Sequence, residues 1–375
     1  MSHRLRLSLA TILLHGASGL QAQSTQMPPA VLRTEYVMLV ISDGVRWQEL
    51  FAGADASLMG KAGGVSDTAT LRRDFWRDTP QSRRSTLFPF LWGTVAAQGQ
   101  LFGDSASESQ ARITNTMKFS YPGYSETFTG FADPRIDSND HPPNDNTTVF
   151  EWLNRDAAFK GRVAAFATWN AFGRIMNAER SGVPVYDGWT RGVAPSASPR
   201  SALLRDLYAT TTQLWPDVAF DALMQQSLLE YLNTNDPRVL FVGYGETDEW
   251  AHAGRYDLYL RSARQMDAYL AQLWERAQGD SRTRDKTTLI VTTDHGRGWG
   301  GEWRDHGKDV NGAEYIWTAV IGPDTPPRGV RASTPVSQAQ VASTIAALLG
   351  KDWQRAEPKA APPLPIFRQP QARDY

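Results

Sequence analysis

The chain has 375 residues, 41% of them hydrophobic and 21% charged, with a formal net charge of −1 and no cysteine. That is ordinary globular composition and enough chain to bury a large core as one domain. Near-neutral charge without a basic run argues against a polyanionic partner such as nucleic acid, and the lack of thiols excludes disulfides and thiolate metal sites.

In chain order, "SHRLR" is a short basic segment, "LSLATILL" an apolar one, and small and polar residues follow through "HGASGLQAQ". This is the pattern of a secretory signal peptide over residues 1–22, cleaved near Ala22, which places the mature chain outside the cell or in the periplasm. No later stretch is long and apolar enough to span a bilayer. Apolar runs bounded by polar, Gly or Pro residues predict strands over 36–42, 162–168, 238–244, 287–293 and 315–321. Residues 111–119, "ARITNTMKF", predict another, with a helix starting near Tyr124. Helical spacing covers 217–232, 256–276 and 337–349, with Tyr259, Ala263, Met266, Leu270 and Leu273 on one face of the second. Such alternation predicts an α/β fold with a mostly parallel central sheet flanked by helices on both faces. Residues 23–375 read as a single domain. Residues 50–85 and 170–215, rich in Gly, Ser, Pro or Arg, are expected to be lid-like insertions, and the proline-rich tail after Trp353 an extended surface segment.

In open parallel sheets ligands bind beyond the carboxyl ends of the strands. Asp43 follows the first run directly, Asp248 comes four residues after "VGY", and Asp294 and His295 follow "VTT". His252 lies four residues after Asp248, one helical turn away. His306 lies eleven residues after His295. His3 and His15 fall in the leader, and His141 has no evident role. Carboxylates and imidazoles gathered at one sheet edge suit zinc or manganese and metal-assisted hydrolysis. The nucleophile is sought in "KFSYPGYSETFTG", where Ser120 sits at a strand–helix junction, with Ser125 as its rival. Trp47, Trp250, Trp299 and Trp303 crowd these motifs, as substrate-stacking surfaces or as core, and Arg46 and Lys308 offer positive charge either to a bound anion or to solvent.

The ordered set Asp43, Ser120, Asp248, His252, Asp294, His295, His306 resembles the alkaline phosphatase superfamily, and within it the type I phosphodiesterase/nucleotide pyrophosphatase branch and related bacterial phosphatases. "ISDGVR" is close to that branch's first motif, and "SYPGYSETFTG" aligns without a gap with its nucleophile motif, Ser120 taking the Thr position. The resemblance covers roughly residues 35–325. It implies an alkaline-phosphatase-like fold, one ion held by Asp43, Ser120, Asp294 and His295, and a second held by Asp248, His252 and His306. It also implies hydrolysis of a small-molecule phosphate ester through a phosphoseryl intermediate. That branch binds a phosphate oxygen with an Asn downstream of its nucleophile. Asn139 and Asn144 are the candidates here, with Asn146 close by. Gly123 and Tyr124 stand where the branch has Asn-His, and no Arg adjoins Ser120 as in the monoesterase branch, so monoesters and diesters both stay open. "SYPGY" also resembles the sulfatase signature, with Tyr124 in place of its Arg. A sulfuric-ester hydrolase and a non-catalytic metal-binding relative are the alternatives.

Overall fold

The structure is a computed structural model that describes residues 32–367, so the leader over 1–22 and Pro370 lie outside the described residues. Its strands are β1 (Tyr36–Ser42), β2 (Gln100–Phe102), β3 (Ala111–Arg112), β4 (Val163–Ala167), β5 (Val185–Asp187), β6 (Val239–Tyr244), β7 (Thr287–Thr292), β8 (Tyr315–Ile316), β9 (Thr318–Ile321), β10 (Gly329–Val330) and β11 (Val336–Ser337). Eight form one sheet in the order β10-β2-β9-β7-β1-β6-β4-β5. All pairs are parallel except those made by β9, which alone runs against the rest.

Alternation along the strands sends side chains to two separate cores. Leu39, Ala165, Phe241 and Ile290 pack on one face; Val40, Phe166, Val242 and Val291 pack on the other. A sheet buried on both faces is what continuous apolar strands require. Helices Ser120–Thr129, Val149–Arg155 and Gln340–Leu348 cover the first face through Tyr124, Phe150 and Ile345. Helices Asp221–Thr234 and Tyr256–Gly279 cover the second through Met224, Leu228, Met266 and Leu270. A fully buried leucine such as Leu270 contributes about 2–5 kcal/mol against truncation to alanine.

Four expectations need correction. The 315–321 run is two strands: Tyr315–Ile316 joins a small sheet of order β11-β3-β8, and Thr318–Ile321 joins the main one. Buried Trp317 between them donates its indole N–H to Val45 O at 2.9 Å, so the strand break serves a long-range anchor. The strand expected over 111–119 pairs only at Ala111–Arg112. Beyond it, buried Glu126 accepts the N–H groups of Thr114 and Asn115, and Asn115 Oδ1 accepts those of Met117 and Lys118, which consumes the donors a strand would need. The next helix therefore starts at Ser120, four residues earlier than expected. Pro122 is tolerated because it falls in the first turn, where its missing N–H costs nothing. Lastly, the proline-rich tail is not merely a surface segment: Leu364, Ile366 and Phe367 are buried in the first core.

The 50–85 stretch contains helices Thr68–Phe75 and Pro80–Leu87, and its Leu58, Met59, Leu71 and Phe75 are buried in the second core. In 170–215, Trp189 and Tyr208 form a small satellite cluster with Ala219, while Leu203, Leu207 and Leu214 are exposed. Among the described residues no helix is long and apolar enough to cross a membrane.

Candidate metal centre

The carboxyl ends of β1, β6 and β7 bring the acidic residues to one edge of the sheet. Asp43 follows β1 directly, its N–H bonded to Tyr244 O at 2.9 Å. Gly44 then takes φ +60, and a Cβ there would sit 2.7 Å from the Arg297 guanidinium, so only glycine fits this turn. The Gly44 N–H donates to Asp294 Oδ1 at 3.1 Å, and the Tyr124 hydroxyl donates to Asp43 Oδ2 at 3.0 Å. Among the described residues, the remaining oxygens, Asp43 Oδ1 and Asp294 Oδ2, are buried without a hydrogen-bond partner.

These two orphaned atoms lie 3.3 and 3.4 Å from His295 Nε2, and Ser120 Oγ lies 3.5 Å from the same nitrogen. Donors held 2.0–2.1 Å from one tetrahedral zinc lie about 3.3 Å apart. His295 Nδ1 meets Gly296 O at 2.9 Å, which leaves Nε2 as the free ligand atom. Buried oxygens with no partner, at ligand spacing around an oriented imidazole, fit a divalent cation.

A second group adjoins the first. On helix Glu246–His252, Asp248 and His252 are one turn apart, with His252 Nε2 3.2 Å from Asp248 Oδ2. His306, in the loop after the 3-10 helix Gly300–Arg304, brings its Nε2 to 2.9 Å from His252 Nε2 and 3.7 Å from Asp248 Oδ1. Its Nδ1 is 3.2 Å from Lys118 O, so the loop before Ser120 orients this histidine. The groups touch: His295 and His306 stack with ring centroids 3.9 Å apart. The sequence's seven ligand candidates therefore converge as two adjacent sets, Asp43, Asp294 and His295 with Ser120 beside them, and Asp248, His252 and His306.

Residues 200–350 match the model of the Metalloenzyme superfamily, a stretch carrying five of these ligand candidates but neither Asp43 nor Ser120. Structures of similar fold include a phosphonate monoester hydrolase from Silicibacter pomeroyi, with TM-score 0.55 and 14% identity over 91% of this chain and 78% of that one. A protein in the alkaline phosphatase superfamily from Vibrio parahaemolyticus gives 0.50 and 14% over 94% and 75%. The lipoteichoic acid synthase LtaP from Listeria monocytogenes gives 0.52 and 10% over 87% and 74%. The fold is that of the alkaline phosphatase superfamily. No curated protein matches the chain in sequence.

Electrostatics divide the histidines of this alkaline-phosphatase fold. Burial, then the neighbouring His295 charge, lowers His252 and holds His306 well below the usual imidazole range, so both favour the neutral form that an ion would need. His295 is pushed the other way: burial opposes its charge, but Asp294 and Asp43 outweigh that and raise it to about 9, so a cation bound at Nε2 would have to displace a proton. Burial, then repulsion from Asp43, raises Asp294 to about 7.

The Asn candidates separate. Asn139 Oδ1 accepts the Tyr121 N–H at 2.9 Å, beside Ser120 at the start of its helix. Asn144 lies below that helix, its amide bonded to Ser125 Oγ at 3.0 Å and Ile175 O at 3.3 Å, so it and Ser125 serve each other in the interior. Asn146 binds Asp133. Arg46 is buried against Glu49, which removes it as a phosphate ligand, whereas Lys308 is exposed. Trp303 is core, packed on Tyr256 and Tyr259. Trp250 packs on Trp215, and Trp47 meets the exposed Trp299 edge-on at 5.9 Å. His141 Nδ1 bonds Pro142 O beside the Tyr121 ring.

Three contributors escaped the sequence reading. A Cβ on Gly123 would lie 2.5 Å from Asp294 O, so glycine lets the Ser120 helix close on that ligand candidate. Tyr124 holds Asp43. Arg297, fully buried, donates to Gly44 O at 3.1 Å, to Arg304 O and to the Asp248 carboxylate, joining the segments that carry Asp43, Asp248 and His306. The signal for Arg297 was its place two residues after His295, where a lone charged residue amid glycines calls for a buried partner.

Proposed function

We propose that this chain is an exported hydrolase of phosphoric esters that works with two divalent ions, zinc or manganese, through a phosphoseryl intermediate. Ser120 Oγ, at a helix N-terminus and 3.5 Å from His295 Nε2, carries this reading. Asp43, Asp294, His295 and Ser120 would hold one ion and Asp248, His252 and His306 the other. When bound, such ions lower the pKa of a hydroxyl and neutralise charge on phosphoryl oxygens. Ser120 loses its proton to solvent, and its Oγ attacks phosphorus as the ester P–O bond breaks and the leaving oxygen takes up a proton. Water then attacks the phosphoseryl group, releasing phosphate and restoring the serine hydroxyl. The positive end of the Ser120 helix faces the phosphoryl oxygens. Asn139 supports their binding, since its Oδ1 is engaged by Tyr121 and, among the described residues, its Nδ2 has no partner. The basic-then-apolar start of the chain supports export.

Purified mature chain is assayed in parallel on an aryl phosphate monoester, an aryl phosphodiester, a nucleotide and an aryl sulfate. The expected result is turnover of at least one phosphate ester, lost on stringent chelation and restored by zinc or manganese. Turnover of the sulfate alone, or of nothing under several metals, refutes the reading.

A further inference from the structure

Each carboxylate of the Asp43, Asp294 and His295 group has one oxygen already engaged and one free. Tyr124 O–H occupies Asp43 Oδ2 and Gly44 N–H occupies Asp294 Oδ1, while Asp43 Oδ1 and Asp294 Oδ2 have no partner. We infer that Tyr124, together with Gly44 N–H, limits both carboxylates to one donor oxygen each and thereby makes this group selective for a four-coordinate, zinc-like ion over calcium or magnesium. The inference rests on the metal centre proposed above and adds a positioning residue to it.

The donor count carries the argument. Asp43 Oδ1, Asp294 Oδ2, His295 Nε2 and Ser120 Oγ give four donors, one of them nitrogen, which suits zinc or cobalt. Calcium takes six to eight oxygens, commonly with carboxylates that bind through both atoms, and magnesium demands six. Turning Asp43 to offer both oxygens would break its bond from Tyr124. That hydroxyl cannot follow, because the Tyr124 ring is buried against Phe172, centroids 4.6 Å apart, and against Phe128 and Phe241. Tyr124 also lies one turn after Ser120 on the same helix, so the nucleophile and the constraint on Asp43 share one rigid element. A tyrosine kept only for its ring would have no reason to place its hydroxyl on the very oxygen opposite the free one.

Tyr124→Phe is the clean perturbation, since Gly44 admits no Cβ. The chelator-stripped full chain is titrated with Co2+ alone, followed by visible absorption, and the bound cobalt is then challenged with Zn2+, Ca2+ and Mg2+. Wild type is expected to show the intense bands of four-coordinate cobalt, displaced by zinc and resistant to excess calcium or magnesium. Tyr124→Phe should bind cobalt about 10–100-fold more weakly, the usual effect of losing a partner that orients a ligand. Its bands should also weaken as coordination expands, and its preference for zinc over calcium should drop about tenfold or more. Leu270→Ala weakens the opposite core without touching Tyr124 or its ring partners and should leave the spectrum unchanged. An unaltered spectrum and selectivity in Tyr124→Phe, or an equal change in Leu270→Ala, overturns the inference. Should Tyr124→Phe not fold, displacement of cobalt from wild type by calcium at comparable concentration overturns it, and resistance upholds it. A wild-type chain that binds no cobalt, zinc or manganese refutes the metal centre itself, a separate failure.

Discussion

Replacing Arg297 by methionine should destabilise the chelator-treated protein and weaken ion binding at both groups together. The guanidinium is fully buried and donates to Gly44 O, Arg304 O and the Asp248 carboxylate. Burial lowers its pKa to about 9 against the pull of Asp43, so it is charged at pH 7. Methionine fills most of the volume but leaves two carbonyls and a carboxylate without their donor. Breaking a buried pair from one side costs about 3–5 kcal/mol. At about 2 cal/mol/K per residue the folded part gains about 0.7 kcal/mol/K of unfolding entropy, so the melting temperature should fall by about 4–7 °C. Because Arg297 ties the segments of Asp43, Asp248 and His306 to its own, which carries His295, zinc affinity should drop at both groups. Arg297→Lys should recover charge but not the three-way bridge, and so only part of the loss. Urea unfolding of the chelator-treated variants and zinc titration with a competing chelator measure both quantities. A loss under about 1 kcal/mol together with unchanged zinc affinity would show that the guanidinium is a bystander.

Ser120→Ala should lower turnover by about a thousandfold or more while leaving most metal binding, and acid trapping with labelled substrate should find the phosphoryl group on the Ser120 peptide only in wild type. Ser125→Ala should do far less, because Ser125 is buried against Asn144; a label lost in that variant and kept in Ser120→Ala would reverse the assignment. His252→Ala and His306→Ala should each lose about one of two bound ions with the fold retained, read by elemental analysis, and full metal content in both would remove them from the centre. Asp267 accepts the N–H groups of Phe90 and Leu91 and is raised by burial from 3.8 to about 6, so the unfolded chain releases this proton first as pH rises. Its contribution therefore falls between about pH 4 and 6, and the stability of wild type relative to Asp267→Asn should decline across that window by about 2–3 kcal/mol; a flat difference would mean Asp267 titrates normally.

Apolar runs flanked by polar residues identified the five central strands because a doubly covered parallel sheet leaves no solvent-facing positions to interrupt them. The same rule merged Tyr315–Ile316 with Thr318–Ile321, since a continuous apolar run does not record that Trp317 turns between two sheets. The ligand candidates were legible because strand ends place them near one another whatever the rest of the chain does. What orients them was not. Nothing in the sequence marks Glu126 for burial, yet it is buried and holds Thr114 and Asn115. Tyr124 stands out only as a departure from the family motifs, and only the packed fold shows its hydroxyl on Asp43. Long-range hydrogen bonds leave no periodic trace in a sequence, so the helix before which they act was started four residues late.

The Ser120 helix and the ligand loops are joined closely enough to behave as one body. Tyr124 O–H reaches Asp43, Gly123 lies against Asp294 O, and Lys118 O meets His306 Nδ1. These contacts touch both ligand groups from a single helix and the turn that precedes it. A shift of that helix would move Ser120, the proposed nucleophile, and disturb Asp43, Asp294 and His306 at once, so catalytic and metal-binding defects should accompany one another in variants that displace it. Ser120→Ala is the exception that the geometry singles out: it removes one oxygen and leaves every one of these contacts in place. A protein in which that variant alone separates loss of turnover from loss of metal has its nucleophile where the convergence on His295 Nε2 puts it.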